Sequence, residues 1–246
     1  MVKNLMKNVA SHKLTTILVL LLCTVEIAVA EDIGVNNSSF ELPTVTTVPG
    51  FLTSTAGPFC FANACPSIPG WELSGLGGVF QPNSSVFPPS AFGGSQVYFS
   101  DGRGNGDGIA VQELETTLYQ PNLDYELTVS VGNRLEGFIP FGEGHVLLFS
   151  DDDSNNTVAL LDLSSIDAPS TGQFTEVTLI ATAQDVINAG ALGQPIGIQM
   201  GGALTGQTIF DDVRLSTTVV PVPATLPLLG FTIAGFGLMR RRHRRN

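Results

Sequence analysis

DYELTVSVGN, Asp124 to Asn133, alternates without a break. Tyr125, Leu127, Val129 and Val131 fall on one face of an extended chain, and Glu126, Thr128 and Ser130 on the other. Apolar residues at period two mark a half-buried strand. The same pattern extends outward to QVYFS (96–100), GIAVQEL (108–114), GHVLLFS (144–150), NTVALLDL (156–163), FTEVTLIAT (174–182), PIGIQM (195–200) and TIFDDVRL (208–215). Clusters of Gly, Pro, Asn, Asp and Ser separate them, as in QPNSSVFPPS (81–90) and SDDDSNN (150–156). About eight to ten strands with few helical patterns predict an all-β fold, a single β-sandwich or jelly roll. AQDVINAG (183–190) is the one stretch that suggests a helical turn, and there is no internal repeat.

Both ends of the chain differ from this middle. Lys3, Lys7 and Lys13 precede an apolar run from Leu14 to Leu22, and Ala28-Val29-Ala30 offers a small-x-small cleavage site. Residues 1–30 therefore have the form of a secretory signal peptide. Leu22 is too large for a lipobox before Cys23, which argues against lipidation. At the other end, Ala224 to Met239 carries no charge and is followed by five arginines. An apolar span with a basic flank predicts a transmembrane segment whose tail stays cytoplasmic.

The motif before that span, Val220-Pro221-Val222-Pro223-Ala224, followed by a Gly-rich apolar stretch and an Arg cluster, resembles a PEP-CTERM sorting signal of the Val-Pro-x-Pro-Ala type. The resemblance implies an exosortase as processing partner. It also implies a transient inner-membrane anchor, then delivery to the cell surface or extracellular matrix of a Gram-negative bacterium. The expected organisation is a signal peptide over 1–30, a β-sandwich over 31–216, and a linker, sorting motif, membrane segment and Arg-rich tail over 217–246.

Between the two signals the charge is one-sided. Arg103, Arg134 and Arg214 are the only basic residues apart from His145, against 21 acidic ones, for a net charge of −18. Such a field repels nucleic acid and anionic membranes and attracts cations. It serves solubility, a specific cation site, or both. Cys60 and Cys65 enclose FANA, and a local disulfide suits an exported chain.

The familiar catalytic constellations are missing: there is no G-x-S-x-G and no H-E-x-x-H, and His145 stands alone in a strand. Glu113 and Glu115 share a strand face, which is either a solvated surface or one wall of a cleft. SDGRGNGDG (100–108) places Arg103 where a calcium loop needs an oxygen ligand, so a Gly-rich hairpin loop is the better reading. A calcium site joining the domain's two ends is more promising. By alternation Asp211 shares a face with Val213 and Leu215, toward the core. An inward carboxylate needs a partner, a metal or a raised pKa. Glu41, expected to end the first strand, could join Asp211 or Asp212 in an oxygen cage suited to Ca²⁺. Trp71 is either a stacking platform for a sugar ring or a core plug, and Phe80, Tyr98, Phe138 and Phe141 are further aromatic candidates.

Two family resemblances cover the body. The opening Asn-x-Ser-Phe-Glu motif (Asn37, then Ser39-Phe40-Glu41), IPGW (68–71), YELTVSVGNR (125–134) and FDDVRL (210–215) together resemble carbohydrate-binding-module sandwiches of the galactose-binding-like class. That likeness implies a structural Ca²⁺ held by Glu41 and Asp211 or Asp212. IPGWELSGLGGVFQP (68–82), VGNR (131–134) and FDDVRL also resemble the calcium-dependent Stig cyclases of cyanobacterial indole-alkaloid synthesis. There Asp211 would be the acid, although Asp212 stands where that family has Asn. The sequence favours, in order, a non-catalytic surface or matrix protein binding glycan or exopolysaccharide, a Stig-like cyclase, and a purely structural matrix protein.

Overall fold

The computed structural model describes residues 30–44, 52–62, 67–88, 91–103, 107–136, 139–150, 156–203 and 205–220. The signal peptide, Cys65, Phe138, Pro221 to Ala224 and the Arg-rich tail lie outside these residues. Among the described residues, thirteen strands form two antiparallel sheets. In chain order they are β1 (Ala30–Ile33), β2 (Leu52–Ser54), β3 (Gly57–Phe61), β4 (Glu72–Ser74), β5 (Gly77–Phe80), β6 (Val97–Asp101), β7 (Ile109–Leu118), β8 (Leu123–Asn133), β9 (His145–Ser150), β10 (Asn156–Asp162), β11 (Gln173–Ala181), β12 (Pro195–Gly201) and β13 (Gln207–Val219). The larger sheet runs β11-β8-β13-β6-β5-β3-β2, with β1 paired to β13; the smaller runs β10-β9-β12-β7-β4. The predicted sandwich is present, and so is the helical turn, α1 (Ala183–Asn188). A capping box starts it: Thr182 Oγ1 accepts from the Asp185 amide, and the Asp185 carboxylate accepts from the Thr182 amide.

Each strand read from alternation is a strand. The additional ones, β1 to β5, are three to five residues long and fall where Gly and Pro interrupt the pattern. Two other expectations change. Segment 100–108 is not a hairpin, because β6 lies in the larger sheet and β7 in the smaller, so this loop crosses between layers. Glu41 does not end a strand. It lies in the irregular segment Asn36–Thr44, where Phe40 has φ +55°. A bulky residue is strained in that left-handed region. Burial holds Phe40 there, with its ring 5.1 Å from that of Trp71 and 5.5 Å from that of Tyr98.

The core between the sheets is built from the inward positions of both. Tyr125, Leu127, Val129 and Val131 of β8 meet Leu114, Val146, Leu148, Ile196, Ile198 and Met200 of the smaller sheet in one buried cluster. Register fixes which β13 residues join them. Phe210 pairs with Val131 and Tyr98, Leu215 with Leu127, and Thr217 with Tyr125. A second buried cluster lies on the opposite face of the larger sheet. It joins Phe80, Val97, Phe99 and Ile209 to Val86 and Phe87 of the β5–β6 connection, with Phe59, Phe61, Phe92 and Phe174 packed against it. The larger sheet is thus covered on both faces along β3, β5, β6 and β13.

Candidate functional site

The outer face of the larger sheet holds the buried chemistry. Along β13, Gln207 pairs with Asp101, Ile209 with Phe99 and Gly132, and Asp211 with Ser130. Alternate residues share a face, so Asp211 stands with Ile209 and Gln207, on the side opposite Phe210. Between Asp211 and Arg214 the register slips by one residue. Asp212, at the bulge, has φ +48°, a conformation that Asp tolerates better than most residues. The slip returns Val213 and Leu215 to the core. The expected burial of Asp211 is therefore present, but its reason is different: a bulge separates it from the core face that alternation gave it.

Asp211 is 1% exposed. Its Oδ1 accepts from the Asp212 amide at 2.8 Å, and its Oδ2 has no hydrogen-bond partner among the described residues. Burial raises its pKa to about 8; the Asp212 amide opposes the shift, while the charges of Asp212 and Glu41 add to it. At neutral pH this carboxyl carries a proton. Segment Asn36–Thr44 lies against it. Ser38 O accepts from the Val213 amide at 3.0 Å, and Glu41 is anchored by the amides of Ser95 (2.8 Å) and Gln96 (2.9 Å) and by the Ser95 hydroxyl (2.8 Å). Gly94 permits that anchorage at φ +77°, since a Cβ there would meet Glu41 Oε1 at 2.2 Å.

Glu41 and Asp212, expected with Asp211 and backbone carbonyls to form an oxygen cage, both lie near enough for their charges to raise the Asp211 pKa. Among the described residues no group of three or more His, Cys, Asp or Glu is placed to hold a metal. Asp212 Oδ2 lies 3.3 Å from Arg214 Nε. What remains consistent with a hard cation is narrower: an orphaned buried oxygen on Asp211, and Glu41 and Asp212 close enough to disfavour its negative charge.

The other candidates part company. Trp71 is 5% exposed, stacks on Phe40, and donates from Nε1 to Asn37 O at 3.2 Å. It is a core plug with one edge on a groove, not an open platform for a sugar. Tyr98 is wholly buried on the inner face beside Phe210, and its hydroxyl lacks a partner. Burial holds its pKa well above the ordinary phenol range. Phe80 lies on the outer face, with the Arg134 guanidinium 5.2 Å from its ring centroid. Phe141 is half-buried against the core. Cys60 is disulfide-bonded.

Several clefts are formed by described residues. Glu113 and Glu115 line a wide groove of about 760 Å³ with Glu72 and Trp71. His145 lines another of about 310 Å³ with Asp107, Glu143 and Asp162. Burial lowers the His145 pKa against the pull of Asp162 and Asp107, and its Nε2 lies 2.7 Å from Gln199 Nε2. A third, of about 160 Å³, sits on the outer face of the larger sheet, between Phe59, Phe61, Phe80 and Phe99 and the polar side chains of Asp101, Arg103, Arg134 and Gln207.

This aromatic bowl was not identified from the sequence. Its signal is alternation itself: in GPFCF (57–61) and VYF (97–99), Phe59, Phe61 and Phe99 occupy the outward positions that a two-layer sandwich would leave polar. Gly132 belongs to the same face, where a Cβ would come 2.7 Å from the Phe174 ring.

Asp211, buried and with its pKa raised to about 8, thus lies on the same sheet face as a wall of phenyl rings. Residues 31–216 match the HpiC1-like family, described as HpiC1 cyclase, and the chain belongs to that family. Among solved structures, an apo cyclase from Fischerella sp. aligns at 22% identity and TM-score 0.60, over 78% of this chain and 98% of its own. The Stig cyclase Fisc from Fischerella sp. TAU, in complex with (3Z)-3-(1-methyl-2-pyrrolidinylidene)-3H-indole, aligns at 24% identity and TM-score 0.58, over 78% and 100%. These identities establish the fold. The carbohydrate-binding module TmCBM61 aligns at only 14% identity and TM-score 0.36. The family match reverses the sequence order of preference, carbohydrate module before cyclase. No protein of curated function matches by sequence.

Proposed function

We propose that the chain is a Stig-like cyclase in which Asp211 acts as the acid. One observation carries this reading: Asp211 is buried, keeps Oδ2 free of partners, and holds its proton up to about pH 8. A carboxylic acid kept neutral at physiological pH is a proton donor at its operating pH. In the step itself the Oδ2–H bond breaks and the proton goes to one carbon of an alkene. The π pair forms the new C–H bond and leaves a cation on the neighbouring carbon. A second alkene or an arene closes the ring onto that cation, and the proton it sheds returns to the carboxylate. No redox partner is needed. Access requires segment Asn36–Thr44 to lift from β13, a motion of the kind that commonly gates buried sites.

Ca²⁺, implied by the likeness to calcium-dependent cyclases, fits the orphaned oxygen and the mutual repulsion of Asp211, Asp212 and Glu41. Asp211 with Glu41 or Asp212 and backbone carbonyls would hold it, and it would supply charge neutralisation. A cation there would compete with the proton for the Asp211 carboxylate, so the acid would be available only where the proton prevails. The two chain ends supply location in this reading. The signal peptide exports the domain and the Val220–Ala224 motif passes it to an exosortase and the cell surface, where matrix polysaccharide is a candidate partner.

The test is turnover of an isonitrile-bearing indole terpenoid by the domain and its Asp211→Asn variant. The expected loss is ~10²–10⁴-fold, the usual contribution of a positioned acid, with wild-type rate falling as pH rises through about 8. Turnover that survives Asp211→Asn removes the mechanism.

A further inference from the structure

We infer that the aromatic bowl is a ligand site in its own right, for an arene whose polar end only accepts hydrogen bonds: a carbonyl or a carboxylate. Its size sets the first limit. A dry cavity near 150 Å³ takes a benzene-sized ring, and this one is about 160 Å³ with four phenyl rings in its lining. Phe59, Phe61, Phe80 and Phe99 meet edge to face, the arrangement that an added arene extends most readily.

The polar rim then selects the ligand's other end. It is built rather than incidental: Arg134 is 8%, Asp101 6% and Gln207 5% exposed. Its acceptors are largely used up. Asp101 Oδ1 accepts from the Arg103 amide (3.0 Å) and Nε (2.9 Å), and Oδ2 accepts from Arg103 Nη2 and Gln207 Nε2 (3.2 Å). Gln207 Oε1 accepts from Arg134 Nη1. Ser54 Oγ donates to Gly57 O and accepts from the Ala56 amide.

The donors are not used up. A guanidinium has five N–H groups. Arg103 donates two side-chain bonds, both to Asp101, and Arg134 three, two to Glu136 and one to Gln207. The pocket thus offers more free N–H groups than free lone pairs, of which one remains on Gln207 Oε1 and one on Ser54 Oγ. An indole N–H finds few acceptors there, whereas a carbonyl or carboxylate oxygen finds several donors. Two of the three arginines of the exported region converge on this spot, each neutralised by a carboxylate, Asp101 or Glu136. A neutral carbonyl is therefore admitted as readily as an anion.

Gln207 and Asp211 are four residues apart on one strand, ~13 Å at the usual rise. Phe99 of the bowl is nearer, paired with Ile209 two residues (~7 Å) from Asp211, but Asp211 is not in the bowl's lining, and the bowl's occupancy is measurable without turnover. The experiment is ligand-observed NMR titration of the folded domain with acetophenone, benzoate and indole, repeated on Arg103→Gln and Arg134→Met. Acetophenone or benzoate should bind, with indole at least ~5-fold weaker, as expected where a site built on hydrogen bonds meets a ligand that cannot make them. Preference between acetophenone and benzoate tells whether the acceptor is neutral or charged. Both variants should erase the preference over indole. Arg103 is exposed enough that its variant will fold even if loss of buried Arg134 does not allow it. Asp211→Asn should bind like wild type, so failure of the cyclase reading leaves this one standing. Equal binding of indole, binding unchanged in Arg103→Gln, or no binding by any of the three overturns the inference.

Discussion

The two faces of the larger sheet carry similar numbers of aromatic rings and use them differently. On the inner face Tyr98, Tyr125 and Phe210 are sealed against the second sheet, and the buried hydroxyls of Ser100 and Thr208 beside them are satisfied by backbone carbonyls. On the outer face Phe59, Phe61, Phe80 and Phe99 are roofed only in part, by Val86, Phe87 and Phe92, and they share the surface with Arg134, Asp101, Gln207 and Asp211. A face that is only a core has no use for four buried or nearly buried polar side chains, since each must be compensated against loss of water. Their presence, with one arginine and two carboxyls among them, sets the outer face apart from the inner one.

That contrast can be broken at several points. The largest expected effect is on the inner face. Phe210→Ala should cost ~3–5 kcal/mol by leaving a cavity, read from denaturant unfolding. Phe61→Ala on the half-roofed outer face should cost clearly less; equal losses would make the outer face a second core.

Next comes pH. The folded-state pKa of Asp211 lies above its unfolded value, so burial costs nothing below about pH 4. Stability declines as pH climbs toward about 8, where the folded form ionises, and then levels off. The decline should be ~2–4 kcal/mol, because each tenfold change in proton affinity is worth ~1.4 kcal/mol and local relaxation returns part of the total. Asp211→Asn should flatten it and be the more stable protein at pH 9. A slope that persists in the variant would locate the ionisation elsewhere.

Calcium follows from the same carboxyl. At about 100 times its dissociation constant a ligand specific for the native state adds ~2.7 kcal/mol. Because Ca²⁺ and the proton compete for one oxygen, the melting-temperature rise should be larger at pH 9 than at pH 6. A rise independent of pH would move the ion away from Asp211. The smallest effect belongs to the exposed pairs of Arg214 with Glu176 and Asp212. Arg214→Ala should change stability by no more than ~0.5 kcal/mol, and a larger change would mean that these ions position the bulge.

Much of the fold was legible because alternation is a local property. Tyr125 to Val131 state their strand, their face and their burial without reference to anything distant. The short strands β2 to β5 were not, since three to five residues among glycines carry too little periodicity. Asp211 was legible as a buried acid, but on the wrong face. Alternation assumes an unbroken pleat, and a one-residue bulge is set by φ at Asp212 rather than by polarity. The Glu41 loop and the rim around Arg134 depend on side chains more than fifty residues apart, such as Glu41 with Ser95 and Arg134 with Gln207. Pairings of that kind are written only in three dimensions.

The bulge at Asp212 also acts as a dislocation in β13, and it uncouples two halves of one strand. Upstream of it, Gln207 to Asp211 can drift in composition with the demands of the outer face. Downstream, Val213, Leu215 and Thr217 keep their phase with Leu127 and Tyr125. Deleting Asp212 would restore a perfect pleat and force a choice. Either the acid turns inward, or Leu215 and its partner Ile33 of β1 turn out to water. The chain tolerates new chemistry beside an old core because one residue absorbs the mismatch between them.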